Sequence, residues 1–301
     1  MMERSRSPHG IEWPTVILLA ACYGAWALAT SLVADWSLWA GFCLTVLALT
    51  LQSSLQHEVL HGHPFRSGRL NEALVFLPIG LVYPYRRFRD LHLAHHRDER
   101  LTDPYDDPES NFLDPGVWAG LSRVSKLLLR ANNALLGRMV MGPVIGTAAF
   151  LKGDVRLLAA GDREVLRAWA LHAAAMVPVI AWVWVAPMPG WLYLASAYAA
   201  LSVLKIRTFL EHRAHELARG RTVVVEGPGV LPFLFLNNNL HIVHHARPRL
   251  AWYELPEAYR ENKGDWLRRN DGYLYKSYWQ VFRQHFLSPK DPVPHPLYPR
   301  L

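Results

Sequence analysis

What most limits the fold of this chain is how far it runs without a formal charge. Residues 14–34 and 36–56 are stretches of 21 residues each with no Asp, Glu, Lys or Arg, parted only by Asp35. A helix needs about 20 such residues to cross the hydrocarbon of a bilayer. Residues 168–188 form a third stretch, broken only by His172. Residues 189–204 form a shorter fourth, which extends to 210 if Lys205 and Arg207 snorkel to the headgroups. Trp13, Trp36, Trp39, Trp169, Trp182, Trp184 and Trp191 fall near the ends of these stretches, where an interfacial belt would hold them. Core helices of a soluble bundle are the competing explanation, and the lengths favour spans. A secretory signal is another: Arg4 and Arg6 precede an apolar run containing Ala27, Leu28 and Ala29, but the run is too long for an ordinary signal core.

Charge then sets the orientation. Of the 32 Lys and Arg, two lie in the N-terminal tail, fourteen in 57–164, one (Arg167) at a span start and fifteen in 205–301. None lies in the connectors around Asp35 or 187–190, so the positive-inside rule puts both termini and both long segments in the cytoplasm. The net charge of +7 follows from this asymmetry and from anionic headgroups, without nucleic acid as a partner. The apolar pieces 73–85, 139–151 and 231–236 are too short to span and are expected to be interfacial or re-entrant seats for the cap. The expected fold is therefore all-α: a polytopic membrane protein, one domain over 1–301. Four transmembrane helices (about 14–34, 36–56, 168–188 and 189–210) form two hairpins, with a cytosolic helical cap from 57–164 and 211–301.

The chain has only Cys22 and Cys43, both inside apolar runs, which excludes a disulfide framework and a Cys-based zinc site. It has 15 His, and eleven of them fall into four clusters. His57 and His61, with His63 beyond Gly62, follow the second span; an i, i+4 pair shares one helix face. His92, His95 and His96 form an H-x-x-H-H, and so do His241, His244 and His245. His212 and His215 follow the fourth span. Two span hairpins bring all four clusters to one side of the membrane. Eight or nine imidazoles exceed what one metal ion uses, so the count asks for two metal ions.

His57-Glu58-x-x-His61 also fits the H-E-x-x-H pattern of zinc proteases, with Glu58 as base, but that reading leaves two H-x-x-H-H clusters without employment. A metal or proton carrier would want ionisable groups within the spans, and only His172 is there.

The order H-x-x-x-H, H-x-x-H-H, H-x-x-H-H, placed between and after two span hairpins, resembles the membrane fatty-acid desaturase and hydroxylase superfamily. The stretch from His95, His96 and Arg97 through Thr102, Asp103, Pro104, Asp107, Pro108 and Glu109 is similar to the desaturase continuation of the second box. Asn237, Asn238 and Asn239 before the third box, and Arg207 through Glu211 and His212, also look familial. The resemblance runs from about Trp13 to His245 and reaches the superfamily, not the substrate.

It implies a non-haem di-iron centre, two Fe per chain, with O2 as co-substrate and an acyl or other lipid substrate. The ligands would be His57, His61, His92, His95, His96, His241, His244 and His245, joined by His212. His63 and His215 would be further ligands, supports behind the ligands, or surface groups. Asn238 could orient a ligand or a metal-bound water, and Asp103, Asp106 and Asp107 could hold the distal N–H of box histidines; turn chemistry beside Pro104 and Pro108 is an equal reason for those carboxylates. No haem-binding cytochrome b5 module is visible in the sequence, so the electrons would come from a separate ferredoxin or cytochrome b5-like donor. Fatty-acyl desaturation is the expected reaction, with hydroxylation or ketolation of a lipid or carotenoid by the same centre as the alternative. The boxes would face the cytoplasm, in a bacterial inner membrane or the endoplasmic reticulum.

Overall fold

The structure is a computed structural model that describes residues 10–96 and 100–298; Arg4, Arg6 and Arg97 lie outside them. In chain order the helices are α1 (Trp13–Trp36), α2 (Leu38–Leu60), α3 (Gly68–Leu74), α4 (Tyr85–His95), α5 (Pro115–Gly120), α6 (Arg123–Asn132), α7 (Leu135–Ala159), α8 (Arg163–Val185) and α9 (Gly190–Thr208). They are followed by α10 (Val230–Leu234), α11 (His241–Ala246), α12 (Leu255–Glu261), α13 (Lys263–Arg269) and α14 (Tyr278–His285). One pair of two-residue parallel strands, β1 (Val224–Val225) and β2 (Leu274–Tyr275), is the only sheet among the described residues.

Proline at the first turn starts α1, and one π turn at Ala29–Val33 interrupts it. The Ser37 hydroxyl accepts the Ala40 N–H (3.3 Å) and caps α2. At Gly41 the two helix backbones meet: a Cβ there would stand 2.9 Å from the Ala29 carbonyl oxygen, so only glycine allows the approach. The second hairpin, α8–α9, turns at residues 186–189 and ties to the first, where the Met188 N–H donates to the Thr30 carbonyl (3.2 Å). The Trp182 indole also donates to Thr30 Oγ1 (2.9 Å), and Trp26 to the Tyr193 hydroxyl (2.9 Å). Polar groups inside apolar helices thus bond one another.

The expected interfacial piece 73–85 is non-helical from Val75 to Pro84 and packs inward. Its carbonyls are met by side chains of the long helices: Gln56 to Val75, Gln52 to Leu77, Tyr193 to Ile79 and His172 to Leu81. Irregular backbone at that depth is tolerable when its carbonyls are met in this way.

By length and composition four helices could cross a membrane: α1, α2, α7 and α8. This set differs from the expectation at two places. Residues 139–151 looked too short, but the helix runs straight through Pro143 and on past both ends to 25 residues, because one missing N–H removes only one backbone bond. Residues 189–210 give α9, 19 residues long, which falls outside the set; Ser, Tyr and Ala dilute it, and Lys205 and Arg207 occupy its last turn. The ends of α7 are pinned on the side where the histidines lie. The Leu136 N–H donates to the Phe286 carbonyl (2.9 Å), and Asp154 takes a bidentate pair from Arg87 of α4 and the indole N–H of Trp169 (2.8 Å).

Candidate metal centre

Helix ends deliver the histidines. His57 lies in the last turn of α2, and His61 caps the helix before Gly62 turns the chain at φ +104°. His92 and His95 end α4, with His96 as its cap. The six-residue α11 is a short helix whose first five residues, including His241, His244 and His245, are buried. His212 comes just after α9 and is held by a bridge to Thr222.

Together these nine residues make two groups. His57, His61, His92, His96 and His244 form one, and His95, His212, His241 and His245 the other; within each, the nitrogens lie within 4.8 Å of one another. Each H-x-x-H-H is therefore divided. Its i, i+4 pair stays together while the middle histidine crosses to the other group, because i+3 and i+4 diverge by 100° around a helix.

The outer ring nitrogens are anchored. His92 Nδ1 donates to Glu109 (2.9 Å), His95 Nδ1 to Asp107 (2.7 Å) and His241 Nδ1 to the Asn238 Oδ1 (3.0 Å). In a neutral ring, donation from Nδ1 leaves Nε2 as the nitrogen with a lone pair. The Nε2 atoms meet one another: His92 to His96 at 2.9 Å, His96 to His244 at 3.1 Å, His95 to His212 at 2.9 Å and His241 to His212 at 3.1 Å. His57 Nε2 and His61 Nε2 are buried without any hydrogen-bond partner. Ring nitrogens this close need a proton or a cation between them, and the two groups of donors fit two metal ions.

Electrostatics agree. Burial, reinforced by neighbouring imidazoles, pushes His212, His241, His244 and His245 well below the usual imidazole range, which keeps them neutral as a metal requires. His95 is the exception. Burial works to lower it, but Glu109 and Asp107 outweigh burial and raise it to about 9. Burial would raise Glu109, but His92 and His95 hold it well below the usual carboxylate range.

The remaining residues singled out in the sequence separate cleanly. Asp107 also accepts the Thr102 and Glu109 N–H groups (2.8 and 2.9 Å). Asp103 touches no histidine and caps a turn through the Tyr105 and Asp106 N–H groups (2.8 and 2.9 Å). His215 stands apart, accepting the Leu217 N–H (3.1 Å) and facing Asp271 at 3.4 Å. Its ring packs on Gly220, where a Cβ would come within 2.2 Å of it. His63 is likewise outside both groups: its Nδ1 donates to Glu12 (2.7 Å) and its Nε2 faces Glu58 at 3.7 Å. Glu58 also accepts the Trp252 N–H (3.0 Å), so its carboxylate turns away from the converging nitrogens and is misplaced for a zinc-protease base.

Two carboxylates named in the sequence only as family-like support the site. Glu109 supports His92 and was legible only as part of the acidic run after the second box. Glu211 takes the Arg207 guanidinium (2.9 Å) and the Asn238 amide (3.4 Å), which leaves the Asn238 oxygen for His241.

A family model described as fatty acid desaturase matches residues 34–277. The chain is also 25% identical over 258 residues to a curated Bacillus subtilis (strain 168) protein named "Fatty acid desaturase", a match that covers 80% of this chain and 73% of that protein.

Proposed function

The chain belongs to the fatty acid desaturase family, and on that premise we propose that it is a membrane oxidoreductase that desaturates a fatty-acyl chain at a centre of two histidine-held irons. The observation that carries this reading is the pair of imidazole groups whose ring nitrogens converge. When bound, the two irons would supply the O2-dependent oxidation of an unactivated C–H bond. The nine histidines would hold them. Asp107, Glu109 and Asn238 would fix ring orientation, and the buried walls would keep water out.

The substrate would lie along α2. A cleft there is lined by Leu49, Gln52, Gln56, Ala200 and Leu204, and Gln56 precedes His57. Four crossings would be α1, α2, α8 and α9. The C-terminal ends of α2 and α9 both deliver ligands to the centre, so the connectors joined by Met188 and Thr30 stand at the opposite end. Trp36 and Trp184, each 84% exposed, would mark the far interface. With both ends on the centre's side, α7 would lie along the membrane face. The basic segments would put the centre in the cytoplasm, where a separate donor would bring electrons.

The test is the product. Membrane lipids are profiled after expression with an electron donor under labelled O2. A product lighter by two hydrogens and free of label is expected, and His96→Ala should abolish it. One labelled oxygen in the product would replace desaturation by hydroxylation at the same site. An unchanged profile with His96→Ala would detach the product from this centre.

A further inference from the structure

A cleft runs between the turn Ala218–Gly220 and α13 down to a histidine of the centre. Arg219, Thr222, Ile242, His245 and Arg269 line it. Arg219, Arg268 and Arg269 also line an adjoining open depression with Asp265, and all four are exposed. Asp265 is paired with Arg268. Nearby, Arg213 is tied to the Asn270 carbonyl (3.0 Å), and Arg247 lies 5.7 Å from the Trp266 ring. Along residues 212–222 and 263–272, which carry the rim, Glu216, Asp265 and Asp271 stand against Arg213, Arg219, Arg221, Lys263, Arg268 and Arg269, so the rim is positive on balance. Leu217, 51% exposed, adds an apolar contact at its edge.

We propose that this rim is the docking face for a small acidic one-electron carrier protein, with His245 as the point where its electron enters the centre. The inference rests on the oxidative reading above. A desaturation removes two hydrogens, and so two electrons and two protons, from the acyl chain. Reducing O2 to two waters takes four electrons and four protons. Two electrons must therefore come from two carrier contacts, each oxidising the carrier's centre by one electron, and two protons come from water. Such contacts need to be brief and repeated, which suits a charged rim: like-signed arginines raise the association rate without burying enough apolar surface to hold the partner. The recess at His245 is about 10 Å³, room for about one water, so the partner would stay on the rim and its electron would cross to the His245 ring. A phospholipid headgroup is the other anion an arginine cluster takes, but the rim is formed by α13 and a short turn, and neither belongs to the helices able to cross a membrane.

The test measures association of an acidic [2Fe–2S] ferredoxin, used as probe, with the metal-free full chain in zwitterionic nanodiscs. At an ionic strength of about 10 mM the Debye length is about 30 Å, long enough for steering to show. The triple variant Arg219→Glu, Arg268→Glu, Arg269→Glu should lower the association rate at least about tenfold and flatten its salt dependence. A control reversing Arg123, Lys126 and Arg130 on α6 should not. No binding by the wild type, an unchanged rate in the triple variant, or an equal loss in the control would each overturn the proposal. So would a loss confined to phosphatidylglycerol vesicles with ferredoxin association intact, which would assign the rim to lipid. Docking is read without metal, so its failure is distinct from a failed oxidation. A melting temperature equal to wild type confirms that the variants fold.

Discussion

Asp107 and Asp103 stand four residues apart in one acidic run, yet only Asp107 reaches the centre, and Asp107→Asn exposes the difference. The carboxylate accepts three N–H groups, from His95 Nδ1, Thr102 and Glu109, at 2.7–2.9 Å. An amide that keeps its oxygen towards His95 and Glu109 turns its NH2 against the Thr102 N–H. Leaving that buried donor unsatisfied destabilises the metal-free protein by about 1–3 kcal/mol. Losing the charge behind His95 makes its Nε2 a poorer ligand, and removing such a partner lowers metal affinity by about 10- to 100-fold, which is about 1.4–2.7 kcal/mol. Fe(II) affinity is measured by competition with a chromophoric chelator, and stability by thermal unfolding.

The pH dependence sharpens the test. His95 is raised to about 9 from an ordinary value of 6.5, so its interactions with Glu109 and Asp107 contribute stability that is fully present below about 6.5. That contribution is lost as pH rises through about 9. Iron competes with the same proton, so wild-type affinity should climb across this window, and Asp107→Asn should flatten the climb. Asp103→Asn should leave affinity and its pH dependence alone. If both variants bind iron like wild type, or lose affinity alike, then the His95–Asp107 bond does not support the centre.

Asp154→Ala should destabilise the protein by about 3–5 kcal/mol, because it strands a largely buried Arg87 and the Trp169 indole; an unchanged melting temperature would refute the anchoring of α7. Gly220→Ala should cost about 1–3 kcal/mol through overpacking against the His215 ring, and His215→Ala in the same chain should restore most of it. His212→Ala should lose iron where His215→Ala does not, as measured by elemental analysis. In the topology proposed above, a cysteine at Asp35 should react with an impermeant thiol reagent from outside and one at Glu261 should not; both positions are exposed, and native Cys22 is buried. Outside labelling at Glu261 would break the two-hairpin arrangement.

Whatever depends on short separations along the chain was readable beforehand. Uncharged length marks α1, α2 and α8, and the 3.6-residue turn places His57 with His61, His92 with His96 and His241 with His245 on common faces. Helix ends feeding one side of two hairpins bring the boxes together. Other features depended on which distant surfaces meet. His244 joins the group of His57 and His92, while His95 crosses to His212 and His241. The helix period divides each box, but which group each part joins depends on how the segments bearing α4, His212 and α11 are set against one another. The same holds for α7, whose apolar part looked too short but whose helix continues through Pro143 to 25 residues. It holds for Asp103 and Asp107, identical in chemistry and divided only by a turn that aims one carboxylate at solvent-side backbone and the other at His95. Local pattern fixes which faces are available. Side-chain packing between remote segments, with the electrostatic need to bring lone pairs around a cation, decides which of those faces make the centre.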